Sequence, residues 1–291
     1  MPIRKLLLPL TGTAAGVAAL GTAALIARRW DAHIAALHVR VDSRDVAPLA
    51  GEGLSGAMIE EMMAATEREG EKRAAAVRAQ FDQVMQAEHI SVRDPADPDA
   101  AARGPTAAFV GITGREDDLV AQQARLADLA IVPHPDGGED VSSSDALHAV
   151  LFDSGRPVLI APRVRPAAVG TRICIGWNGS AESAAAVQAV LPWLQRADAV
   201  QVLWSDDYQR RGPRAPELLA YLALHGVRAQ TRAFKPLDRE VGAGMLAAAT
   251  EFGADLLSMG AYSHSRLRQL ILGGVTRHVL EHAALPVMMS R

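Results

Sequence analysis

The sequence has one cysteine, no large surplus of either charge, and no lysine in the place a phosphate-binding loop would need it. A single cysteine excludes an internal disulfide and fits a reducing compartment. Cys174 falls inside Arg172-Ile173-Cys174-Ile175, an apolar strand in which an inert core thiol is expected. With 30 Lys and Arg against 33 Asp and Glu, the formal charge is −3. A balance that close offers no general attraction to nucleic acid or to an anionic membrane surface, and neither is expected as a partner. Gly16-x4-Gly21-Thr22 lacks the lysine of a P-loop, so close helix packing explains its glycines better.

What is present is a repeat. Ala127-Asp128-Leu129-Ala130-Ile131-Val132 returns as Ala254-Asp255-Leu256-Leu257-Ser258-Met259. Val150-Leu151 followed by Arg156 to Ile160 returns as Val279-Leu280 followed by Leu285 to Met289. At the openings, Thr11-Gly12-Thr13 corresponds to Asn178-Gly179-Ser180. The copies are offset by 167 residues at the start and 129 at the end, so the first holds 38 extra residues in its interior. A duplicated unit must be structurally complete in each copy. The boundaries expected are 1–163 and 168–291, joined by the short Arg163 to Pro166 segment, which predicts close packing of the two units.

Each copy alternates apolar strand runs with helical periodicity. In the second, strands are expected at Arg172 to Trp177, Ala199 to Trp204, Val227 to Ala233, Ala254 to Met259 and Pro286 to Ser290. Helices are expected after Ser180, with an apolar stripe of Val187, Val190, Leu191 and Leu194, and at Pro216 to His225, Asp238 to Phe252 and Gly274 to Ala283. Gly253 fits a helix C-terminal cap. Strict alternation predicts an α/β fold: two tandem Rossmann-like, doubly wound α/β/α sandwiches around five-stranded parallel core sheets. The first copy adds a long helix at about Leu54 to Glu88, with Met58, Met62, Ala65 and Ala76 on its apolar face. Asp94 to Pro105 reads as a loop.

Leu6 to Ala27 carries no charge between Arg4-Lys5 and Arg28-Arg29, which is the outline of a signal peptide or short membrane span. Its counterpart, Arg172 to Arg196, includes Asn178, Glu182 and Gln188 and can only be strand, loop and helix. The segment is therefore expected to be soluble and the protein cytoplasmic.

The chemistry-bearing stretch is Asp255 to Met289. A buried strand ends at Gly260; the chain passes Ser263, His264 and Arg266 and reaches Gly273-Gly274-Val275-Thr276 at a helix start. Ligands of parallel sheets sit beyond the carboxyl ends of strands, and free N–H groups at a helix N-terminus favour anions. Thr276 offers a hydroxyl, while His264 and Arg266 offer charge.

At these residues the chain resembles the universal stress protein (UspA-like) family in its tandem two-domain form. Nucleotide-binding members carry Gly-x-x-Gly, nine residues, then Gly, Ser or Thr, Val, and Ser or Thr. Gly260, Ser263, Gly273, Gly274, Val275 and Thr276 stand at those places, with Ser263 replacing a glycine and Gly274 a hydroxyl residue. Asn178-Gly179-Ser180 stands where the family has an Asp-Gly-Ser that helps hold the nucleoside. A lost hydroxyl bond to phosphate costs about 1.5–3 kcal/mol, roughly 10- to 150-fold in affinity. Backbone groups at 273–276 survive both changes. The first copy has Pro133 for Gly260 and Ser144-Asp145-Ala146-Leu147 for 273–276, so it is expected not to bind.

The resemblance implies a stress-response binding and regulatory module. It would take ATP or a related adenine nucleotide, with Mg²⁺, in the second unit, and slow ATP hydrolysis belongs to some members. It also implies that Val158 to Ala161 and Val287 to Ser290 pair across an internal pseudo-twofold axis, with further homodimerisation open. An ATP-hydrolysing enzyme and a protein-interaction scaffold are the alternatives. His278-Val279-Leu280-Glu281-His282 spells the His-x-x-Glu-His of inverted zinc peptidases. His282 is expected on the core-facing stripe and no third ligand is identifiable, so no bound metal and no catalytic residue is assigned. Asp198, Asp206, Asp207 and Asp255 form no defensible carboxylate pair.

Overall fold

The computed structural model describes residues 2–42, 55–93, 104–134, 145–261 and 274–291. Its first half contains β1 (Lys5–Pro9), α1 (Ala14–Trp30), β2 (His33–Arg40), α2 (Gly56–Ala87), β3 (Ser91–Val92), β4 (Thr106–Thr113), α3 (Glu116–Ala124), β5 (Leu129–Val132), α4 (Asp145–Asp153) and β6 (Val158–Ile160). The second contains β7 (Arg172–Gly176), α5 (Ala181–Leu194), β8 (Ala199–Trp204), α6 (Ala215–Leu224), β9 (Gln230–Ala233), α7 (Val241–Phe252), β10 (Leu256–Gly260), α8 (Gly274–His282) and β11 (Val287–Ser290).

The core sheets of the two halves join into one sheet through their last strands, β6 and β11, the pairing that the family resemblance implied. Its eleven strands run β3-β4-β2-β1-β5-β6-β11-β10-β7-β8-β9. Every pairing is parallel except β6 with β11, where Val158, Leu159 and Ile160 face Met289, Met288 and Val287 antiparallel. The second half contributes five strands, as expected; the first contributes six, because the two-residue β3 adds an edge beside β4.

Alternation along the strands sends successive side chains to opposite faces. Leu6 and Leu8 join α1, α2, α5 and α6 in one core, whereas Leu7 joins α3, α4, α7 and α8 in the other. Helices therefore cover both faces, and each core crosses the seam between the halves. At that seam the indoles of Trp30 and Trp193 meet edge to face at 5.3 Å, and the Arg196 guanidinium lies 4.1 Å over Trp30. Arg29 donates to the Arg196 carbonyl at 2.8 Å and Arg196 donates to the Arg29 carbonyl at 3.2 Å. Arg29 and Arg196 are separated by the repeat offset, so equivalent residues exchange equivalent bonds, as in an isologous contact.

The repeated Ala-Asp dipeptide is structural. Asp128 accepts from the backbone N–H groups of Arg4 and Lys5, and Asp255 from those of Gly170, Thr171 and Arg172. Each carboxylate thereby pins the start of the strand beside its own.

Leu6 to Ala27 forms β1 and most of α1, and α1 is capped by the Thr13 hydroxyl, which accepts from Gly16 N–H at 3.2 Å. Among the described residues no helix is long and apolar enough to cross a membrane.

The long helix is present, but the face chosen for it is corrected. Val77, Phe81 and Met85 are its buried residues, while Met58, Ala65 and Ala76 are exposed. Only the C-terminal third packs on the sheet, so the apolar residues earlier in the helix are not core. Helix α7 starts at Val241 rather than Asp238, because Asp238 and Arg239 have positive φ and turn the chain first. Strand β9 starts at Gln230 rather than Val227. Most of the Asp94-to-Pro105 loop lies outside the described residues.

Candidate functional site

Parallel order reverses direction between β7 and β10. From β7 the chain builds outward through β8 to β9, then returns to place β10 and β11 on the other side. A crevice opens at such a switch point beyond the carboxyl ends of the strands. Met259 lies opposite Gly176, so Gly260 ends β10 level with the exit of β7 into Trp177-Asn178-Gly179. Helix α8 connects parallel strands β10 and β11, so it runs back along the sheet and its N-terminus, Gly274, faces this carboxyl edge. Asn178, Gly179, Gly260 and the first turn of α8 thus share one end of the sheet.

Gly260 has a packing reason of its own. A Cβ there would lie 2.5 Å from the Ser183 amide nitrogen and 2.6 Å from the Glu182 carbonyl carbon. Backbone cannot yield as a side chain can, so glycine lets the first turn of α5 sit against the end of β10. That turn is itself capped: the Ser180 hydroxyl accepts from Ser183 N–H at 3.2 Å.

Asn178 is buried, and its side-chain carbonyl accepts from Ser180 N–H at 3.0 Å, which fixes the turn. Its backbone carbonyl accepts from Arg210 N–H at 2.7 Å and from the Gln209 side-chain amide at 3.1 Å. Gly179 has φ +78, and a Cβ on it would meet the Pro213 carbonyl oxygen at 2.7 Å. Trp177 donates its indole N–H to that same carbonyl at 3.0 Å. The segment after β8, residues 205–214, is therefore a wall of the crevice. Sequence reading missed it; the signal available was Gly212-Pro213 at the same distance from β8 as a loop would need.

On α8, Gly274 is exposed and no described atom lies within 4 Å of a Cβ placed on it. Val275 is half-buried and Thr276 is buried. Ser263, His264, Arg266 and Gly273 lie outside the described residues. What the described part offers chemically is backbone: the first-turn N–H groups of a nine-residue helix beside a strand end.

The equivalent crevice of the first half lies between β1 and β5. Gly12, with φ +87, has Val77 of α2 at 2.9 Å from a Cβ position, and buried His38 shares a hydrogen bond with the Leu10 carbonyl at 2.8 Å. The helix start opposite carries Asp145. Glu116 at the start of α3 is pushed above the usual carboxylate range by burial, with Asp145 and Asp117 adding repulsion. Among the described residues this end of the first half carries Glu116, Asp117 and Asp145, with Arg115 paired to Asp117 at 2.8 Å.

The His-x-x-Glu-His helix is also corrected in part. His282 is exposed, not core-facing; its ring stacks on His278 at 4.3 Å, and Glu281 pairs with Arg277 at 2.7 Å. Among the described residues no three His, Cys, Asp or Glu side chains are arranged to hold a metal. The Cys174 thiol is buried and pushed up to about 12 by that burial, which leaves it protonated and inert.

Residues 171–291 match the model of the universal stress protein family. No curated protein matches the chain. Among solved structures, a universal stress protein from Archaeoglobus fulgidus is similar in fold over 99% of this chain and 98% of its own, with TM-score 0.69 and 14% identity. A putative universal stress protein from Pseudomonas aeruginosa is similar over 99% and 93%, with TM-score 0.52 and 14% identity. A functionally unknown protein from the same species gives 99% and 92%, TM-score 0.55 and 14% identity.

Proposed function

We propose that this chain, a member of the universal stress protein family through its residues 171–291, is a binding and regulatory module. In this reading ATP or a related adenine nucleotide is taken, with Mg²⁺, at the carboxyl edge of the second half. The supporting observation is the meeting of Asn178-Gly179, Gly260 and the α8 N-terminus at one switch point. The anion would be held by amide groups of α8, with the helix dipole adding attraction. The nucleoside would lie toward Asn178 and the 205–214 wall. Ser263, His264 and Gly273 belong to the proposed site by sequence alone. The first half is read as non-binding, since Asp145 would oppose phosphate and Val77 stands against Gly12. The units are read as 1–163 and 168–291, working in the cytoplasm, with homodimerisation left to the surfaces not used by β6 and β11.

Calorimetric titration of the full chain with Mg-ATP tests this. Saturable heat at or below millimolar ligand is expected. No described atom lies within 4 Å of a Cβ at Gly274, and Gly274→Ser should tighten binding by about tenfold. Gly274→Asp copies the first half's charge onto α8 and should abolish binding without unfolding the chain. Absence of heat for both the natural protein and Gly274→Ser would sink the nucleotide reading and leave an interaction scaffold. Phosphate release that follows binding, and is lost in Gly274→Asp, would identify the slow hydrolase instead.

A further inference from the structure

A cleft of about 820 Å³ lies beyond the carboxyl ends of β8 and β9, a size that encloses small organic ligands. Its apolar surface comes from Trp204, Phe234 and Val241. Lys235 and Arg239 stand on the β9 side, and Asp206 and Asp207 on the β8 side. Among the described residues, neither Lys235 nor Arg239 has a side-chain hydrogen bond or ion pair. Asp206 lies 3.7 Å from Arg214.

Arg239 is held there against its backbone preference. Leu237 and Glu240 exchange hydrogen bonds of 3.2 and 2.7 Å around a two-residue turn, and both central residues are left-handed, Asp238 at φ 49 and Arg239 at φ 67. Such turns favour Asn-Gly, because a β-carbon is penalised in that conformation. A strained non-glycine residue that lines a cleft, its cation without a partner among the described residues, motivates a functional reading of its side chain. Helix α7 packs on the backbone that leads into the turn: a Cβ on Gly244 would lie 2.0 Å from the Lys235 carbonyl oxygen.

We propose that this cleft binds a small organic molecule with an apolar ring and one anionic group. The ring lies on Trp204 and Phe234, and the anion faces Lys235 and Arg239. Asp206 and Asp207 repel a second negative charge, so polyphosphates are excluded and an amino or N–H donor is favoured on that side. The cleft shares Ser205, Asp206 and Asp207 with the wall assigned above to the nucleoside, but its anion is held at Lys235 and Arg239 rather than at α8, so a charge placed on α8 separates the two readings.

The probe is 8-anilinonaphthalene-1-sulfonate, an aromatic monoanion with one N–H, titrated into the native full-length protein at low salt. Saturable one-to-one binding is expected. Arg239→Gly should weaken it at least about tenfold while raising Tm, because glycine relieves the left-handed strain. Lys235→Glu should weaken binding similarly, and Gly274→Asp should leave it unchanged. No saturable binding by the native protein overturns the proposal. So does one-to-one binding that persists undiminished in both Arg239→Gly and Lys235→Glu, since the dye would then sit elsewhere.

Discussion

Gly260 and Gly274 are both glycines of one sequence motif, yet their surroundings demand different things. A methyl group at 260 meets the backbone of α5, whereas one at 274 meets no described atom within 4 Å. Gly260→Ala should therefore destabilise the fold by about 1–3 kcal/mol, the range for overpacking a close contact, and Gly274→Ala should not; urea midpoints of the two variants decide it. Glu116 gives a second residue-scale test. Its carboxyl is raised from 4.5 by burial and by Asp145 and Asp117, so the folded state binds its proton more tightly than the unfolded chain does. No penalty exists below the unfolded value; the penalty grows as pH rises through the folded value and is full above it. Glu116→Gln should then be more stable than the natural protein at neutral pH, with the advantage shrinking to nothing as pH falls below about 4.5. An advantage independent of pH would refute that account. Asp255 shows how a residue can mislead: its type suits acid–base work, but its three backbone donors place it at the amino edge of β10, away from the crevice.

At the scale of elements, α2 separates what periodicity conveys from what packing decides. The existence and length of this helix were legible between residues 54 and 88, and Ser55 caps it by accepting from Met58 N–H at 3.3 Å. Which stretch is core was not legible, because methionine and alanine spaced along a helix look alike whether a sheet lies beneath them or not. The sheet lies beneath Val77, Phe81 and Met85, with Val84 packed beside them. Phe81→Ala should cost about 3–5 kcal/mol, while Met58→Ala, at an exposed position, should stay within about 0.5 kcal/mol; chemical denaturation measures both. Helix α8 is a similar case. Its histidine spacing was plain, but only the structure turned His282 outward onto His278.

Across the whole molecule the seam is the feature that holds the halves in register. Antiparallel β6–β11 pairing covers two apolar strands that would otherwise be sheet edges. Trp30 and Trp193 then lock the helices above it. A double-mutant cycle of Trp30→Ala and Trp193→Ala should show a coupling of about 0.5–1.5 kcal/mol, the worth of an aromatic pair beyond its buried area. Additive losses would mean that the rings stabilise their own halves separately. The Arg165 guanidinium, 3.0 Å from Glu88, ties the connecting segment to the first half. The two units accordingly share cores on both faces of the sheet rather than swinging on a tether.

The amino-acid order alone determined the duplication, the alternation of strand and helix, and which copy retains glycines before its last helix. These are written in local spacing, and local spacing survives without coordinates. Tertiary structure alone decided that residues 205–214 wall the crevice and that Gly260 answers to a helix turn. Those outcomes depend on contacts between segments far apart in the chain, and no window of sequence contains both partners.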